Sequence, residues 1–139
     1  MDPASPYGVN GHLPGTPTIE AAADAGFGWI RYDFNWHQLE PVNDQFQWAA
    51  TDAAVDAAVA EGLHVFVTLA YTPAWAAADA GTCVPGGGEA NRCETGTFAN
   101  VGDWTDFVDA TVTRYGDRVK VFGMWNEPNL RGFYRGSLD

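Results

Sequence analysis

The sequence holds 139 residues, enough to bury the core of one domain. A hydrophobic share of 46% argues against intrinsic disorder, and no stretch approaches the roughly 20 apolar residues of a membrane span. The formal charge is −11, with Lys120 the single lysine, which argues against nucleic acid or an anionic membrane as a partner.

Taken in order, residues 7–12 read as a short first strand. Thr16 reads as an N-cap with Pro17 in the first helical position, and the helix over 18–25 stops at Gly26. Residues 29–33 are predicted as the second strand, followed by a loop through Trp36, His37 and Pro41. A helix is expected over 48–61, with Trp48, Val55 and Val59 on one face and Gly62 at its end. The nearly continuous apolar run 63–70 suits a strand covered on both faces, as in a parallel sheet.

Residues 71–99 form a long, Gly-rich segment. Loops of that length are functional or disordered. A helix is predicted over 103–115, where Trp104, Phe107, Val108, Thr111, Val112 and Tyr115 recur at helical spacing and are expected in the core. The β-branched and aromatic run 119–125 is the fourth strand. Asn126-Glu127-Pro128 ends it, because proline lacks the N–H that a ladder needs. The tail carries Phe133 and Tyr134. Alternating strands and helices predict an α/β fold with a parallel sheet and right-handed crossovers.

Cys83 and Cys93 lie within the long segment. With no second cysteine pair, and no ligand spacing among His12, His37 and His64, they are expected to form a local disulfide and not a metal site. No cofactor is expected either. A disulfide implies an oxidising compartment, so the protein is expected to be secreted. The first residues have neither the basic start nor the apolar run of a signal peptide, so a mature form is expected.

Active sites of α/β proteins gather at the carboxyl ends of parallel strands. The first strand offers Asn10 and His12 there. The second offers Arg31 and Asp33, then Asn35, Trp36 and His37. Tyr71 and Trp75 follow the third, and Trp125, Asn126 and Glu127 follow the fourth. Each has a plain reading: Arg31 pairing with a buried acid, Trp75 covering the core, His37 solvated in a loop. Their shared strand end favours one site. Glu127, beside apolar Trp125, is the candidate proton donor, since an apolar setting raises a carboxyl pKa.

The chain resembles the N-terminal half of the clan A glycoside hydrolases, nearest the branch of β-xylosidases, α-iduronidase and cellulase-like enzymes. The residues that carry the likeness are Gly8-Val9-Asn10, 25–31, Trp36 with Glu40-Pro41, 71–76, Arg114-Tyr115-Gly116 and 125–130. The resemblance implies one partial domain over 1–139, the (β/α)4 half of a TIM (β/α)8 barrel. It implies hydrolysis of O-glycosidic bonds in plant or microbial oligosaccharides or polysaccharides. Glu127 becomes the general acid/base of a retaining glycosidase, Asn126 the partner of the sugar 2-hydroxyl, and Arg31 the group that orients the nucleophile. Trp36, Tyr71 and Trp75 become platforms for sugar rings, with Asn10, His37 and Trp125 beside them.

A retaining enzyme needs a second carboxylate about 5 Å from the first. In this clan it stands on the seventh strand, and nothing in this sequence matches that strand. Three expectations follow: an inactive piece of a glycosidase, a homodimer that closes the barrel through open sheet edges, or a non-catalytic carbohydrate-binding half barrel. A flavodoxin-like binding module has the same element order but needs a Gly-rich phosphate loop after the first strand, which is missing here.

Overall fold

A computed structural model describes residues 5–137. The elements run β1 (Gly8–Asn10), α1 (Thr16–Asp24), β2 (Trp29–Asn35), α2 (Trp36–Leu39), α3 (Ala49–Ala60), β3 (His64–Ala70), α4 (Val101–Tyr115) and β4 (Val119–Met124). The strands form one parallel sheet in the order β1-β2-β3-β4. Gly8, Val9 and Asn10 lie opposite Trp29, Ile30 and Arg31. This is the α/β, (β/α)4 arrangement expected of a partial barrel.

The described residues gather into two compact units. One holds the residues up to Phe34 with Trp48–Thr68 and Val112–Gly123; the other holds Asn35–Gln47, Leu69–Thr111 and the residues from Met124 onward.

In the first unit, β2 alternates strictly: Ile30, Tyr32 and Phe34 are buried, while Trp29, Arg31 and Asp33 are half-buried. That period of two leaves the second set on the opposite face of the strand. Helices α1 and α3 bury Ile19, Ala22, Ala23, Ala54, Val55 and Ala58. The Tyr32 hydroxyl donates to the Ala54 carbonyl (3.2 Å). The Tyr115 hydroxyl lies 2.7 Å from Thr51 Oγ1 and donates to Asp52 (2.8 Å), whose carboxylate also receives Arg114. Arg114, foremost, holds the Asp52 carboxyl below its ordinary value.

In the second unit, the core is built on Trp36. Its ring stacks on Phe107 (5.5 Å between centroids) and meets Trp104 and Trp75 edge-on at 5.5 and 5.6 Å. Offset and edge-to-face rings of this kind add to the stabilisation from buried area alone.

Several sequence expectations change here. Gly15, not Thr16, is the α1 N-cap, and the helix begins at Thr16. Trp36 and His37 open a short helix where a loop was expected. Val59 and Val112 are 42% and 39% exposed and leave the core to Val55, Thr111 and Tyr115. Helix α4 starts two residues earlier than predicted, at Val101. Gly26 and Gly62 do follow α1 and α3 at φ +85° and +72°, the left-handed region in which glycine carries no Cβ penalty.

Candidate active site

Strand β4 ends at Met124, and the backbone then reverses sharply. Trp125 and Glu127 adopt φ +63° and +43°, and Tyr71, directly after β3, adopts φ +74°. Non-glycine residues in this region are uncommon and strained, and such residues cluster at functional sites. The strain at Trp125 is offset by contacts. Its backbone N–H donates to the Leu69 carbonyl (2.8 Å) and its indole N–H to the Phe133 carbonyl (2.8 Å). Its ring meets Tyr71 at 6.0 Å and Tyr134 at 5.3 Å, both edge-on. The Leu130 N–H closes a turn on the Glu127 carbonyl (2.9 Å). Glu127 is exposed and Asn126 half-buried. The apolar enclosure expected around Glu127 is not supplied by its neighbours in this unit.

The remaining candidates of this unit divide clearly. Trp75 is half-buried, with its indole N–H on the Glu40 carbonyl (2.8 Å), and Tyr71 is half-buried as well. Either can present part of a ring to a sugar. Trp36 cannot: it has no exposed surface, and its indole N–H donates to the Glu40 carboxylate (2.6 Å). The expectation of a sugar platform at Trp36 is therefore corrected to that of a core residue. His37 is half-buried, and its backbone N–H donates to the Tyr71 carbonyl (3.1 Å). Its Nδ1 is buried with no hydrogen-bond partner among the described residues. Burial pushes the imidazole below its ordinary value, against the opposing influence of Glu94 and the Tyr71 backbone. A neutral ring with an unused nitrogen is suited to a hydroxyl group.

In the first unit, Arg31 donates from Nε to Thr68 Oγ1 (2.8 Å) and stands 3.4 Å from Asp33. Its guanidinium lies 5.9 Å from the centre of the Phe66 ring. Asn10 is exposed, and its amide donates to His12 Nε2 (3.4 Å). His12 Nδ1 in turn pairs with Asp33. Sequence reading placed His12 and Asp33 at neighbouring strand ends without seeing that they join.

Two further groups were missed. Glu40 is a buried carboxylate that accepts from Trp36 and from the Asp44 N–H (2.8 Å), and burial raises its pKa. Its spacing of four from Trp36 was the available signal. Arg135 donates to Asp79 (2.8 Å) and to the carbonyls of Ala90 and Arg92 (3.3 and 2.8 Å), which fastens the tail to the long loop. Cys83 and Cys93 are joined, with Cα atoms 5.0 Å apart. Among the described residues, no cluster of three or more His, Cys, Asp or Glu could hold a metal ion, and no helix is long and apolar enough to cross a membrane.

No protein-family model and no curated protein matches the chain. Solved structures do. A family 39 glycoside hydrolase from the gut symbiont Bacteroides cellulosilyticus WH2 superposes with a TM-score of 0.71 at 25% identity, over 93% of this chain and 26% of that one. The chain carries a glycoside hydrolase-like fold. A β-galactosidase from the psychrophilic Marinomonas ef1 gives a TM-score of 0.65 at 19% identity, over 91% of this chain and 22% of that one. A GH39 enzyme from Xanthomonas axonopodis pv. citri gives 0.62 at 22% identity, over 96% and 29%. The glycoside hydrolase-like chain thus spans about a quarter of the length of these structures.

Proposed function

We propose that this chain supplies the acid/base half of a retaining glycosidase active site in a secreted enzyme acting on plant or microbial oligosaccharides or polysaccharides. The observation that carries the reading is Glu127 itself: an exposed residue on a left-handed backbone position, three residues past the end of β4 and two past a tryptophan whose backbone and indole N–H groups are both hydrogen-bonded. The likeness to glycoside hydrolases at 25% identity supports it.

In this reading Glu127 protonates the leaving glycosidic oxygen and then deprotonates the attacking water. Asn126 holds the 2-hydroxyl, Tyr71, Trp75 and Trp125 offer ring faces and edges to the sugar, and His37 accepts or donates to a hydroxyl as a neutral ring. Arg31 and Asn10 keep the roles that the resemblance implies. The nucleophile comes from outside these 139 residues. Oxocarbenium-like chemistry of this kind requires no metal or cofactor.

The exposure of Glu127 favours a second reading, a carbohydrate-binding half barrel without turnover. Release of 4-nitrophenol from β-xylosides and β-glucosides separates the two. In the protein with its barrel completed, the acid/base reading expects release by the wild type and its loss in Glu127→Gln. Sugar binding with no release from either protein supports the binding module.

A further inference from the structure

Beyond the turn at Glu127, a cleft of about 360 Å³ is lined by Glu89, Ala90, Arg131 and Arg135. Its two walls have different origins. Glu89 and Ala90 lie within the loop closed by the Cys83–Cys93 disulfide. Inside that loop the Val84 N–H donates to the Asn91 carbonyl (2.8 Å) and Arg92 Nε to the Gly87 carbonyl (2.9 Å), and the Gly86 N–H reaches the Glu94 carboxylate just beyond it (2.9 Å). Arg131 and Arg135 belong to the tail that follows Glu127. Arg135 ties the walls together through Asp79, Ala90 and Arg92, and Arg131 Nη1 donates to the Arg135 carbonyl (3.2 Å). A wall set in place before binding has less ordering to lose when a ligand arrives.

The charges in this cleft are nearly balanced. Arg135 is paired with Asp79. Arg131 and Glu89 share the cleft, yet among the described residues neither side chain is ion-paired. A guanidinium only donates hydrogen bonds and a carboxylate only accepts them. A pair of sugar hydroxyls, each able to do both, complements that set. An anionic sugar would gain from Arg131 and lose to Glu89.

The cleft also lies within reach of Glu127. Arg131 is four residues on, at most about 14 Å along an extended chain, and the turn from Glu127 to Leu130 shortens that span.

We infer that the Glu89–Arg131 cleft is a subsite for a neutral sugar unit near Glu127, with Arg131 donating to and Glu89 accepting from adjacent hydroxyls. The assignment of a sugar as the ligand rests on the glycosidase reading proposed above.

Titration of the 139-residue chain with cellobiose and with xylobiose, followed by amide and arginine Nε–H NMR signals, tests the inference without turnover. The expected result is a saturable shift at residues 89, 90, 131 and 135. Affinity for the disaccharide should fall about tenfold in Arg131→Ala and in Glu89→Ala, each removing one charged hydrogen-bond partner. Both side chains are exposed, and unchanged thermal melting of the variants confirms that the fold is kept. Absence of shifts there with both disaccharides overturns the inference, as does undiminished binding in both variants. A larger response to glucuronate than to either disaccharide also overturns it. Because binding is read directly, a failure of Glu127 chemistry leaves this readout intact.

Discussion

Trp36 is the residue at which sequence and structure part most instructively. An aromatic residue just past a strand looks the same in sequence whether it faces a sugar or the core. What decides is Trp104 and Phe107, far along the chain on α4, which cover its ring. Contacts of such separation leave no local trace. The strand end before Asn126-Glu127-Pro128 was legible because its signal is local: a β-branched run, a polar pair and a proline that breaks the ladder. The buried partner Glu40 makes Trp36 sensitive to a conservative change. Trp36→Phe keeps most of the ring volume but leaves the Glu40 carboxylate short of one donor. A loss of about 1–3 kcal/mol is expected by urea denaturation; an unchanged midpoint would contradict the role of that bond. Tyr32 and Tyr115 set a second test. Burial pushes both hydroxyls up from 10.0 to about 12. Between those pH values the unfolded chain releases protons that the folded chain keeps, so stability falls as pH rises through this window. Tyr32→Phe should flatten that alkaline slope in denaturation curves at pH 10–12.

At the scale of elements, the regular units were readable and the long loop was not. Apolar patterning located α3, α4, β3 and β4, Pro17 marked the start of α1, and glycines marked the ends of α1 and α3. Past Trp75, residues 76–99 offered two cysteines and many glycines but no periodic pattern. Their order comes from partners beyond the loop or spread along it: the Ala77–Phe98 bridge, the Val84–Arg92 bridge and the guanidinium of Arg135. The disulfide closes a separation of 10 residues. Replacing both cysteines with serine should cost about 2–3 kcal/mol in the chain-entropy account. Hydrogen exchange should quicken at the Val84 and Cys93 amides, which bond within this loop. A variant with wild-type exchange at both would show that Arg135 alone suffices to hold it.

For the whole molecule, the decisive feature is the open sheet. β1 and β4 are its edges, and Val121 and Met124 on β4 are 40% and 53% exposed. Unpaired edges with apolar side chains template further pairing. The chain on its own is expected to self-associate, with a light-scattering mass of twice the monomer; a monomeric mass at high concentration would contradict pairing through these edges. The parallel α/β fold was foreseeable from the alternation of four strands with helices, whereas a partner for the edge strands leaves no local pattern.

The central claim, that Glu127 is the acid/base of a glycosidase pair, is tested most directly by leaving-group dependence in the assembled protein with its barrel completed. A proton donor matters most where the leaving group is poor, and its removal costs typically 10²–10⁴-fold. Glu127→Gln is therefore expected to lose hydrolysis of cellobiose or xylobiose by about that factor while largely keeping the formation of the glycosyl-enzyme from 2,4-dinitrophenyl β-glycosides. Equal loss on both substrates, or undiminished cleavage of the disaccharides, would contradict the assignment.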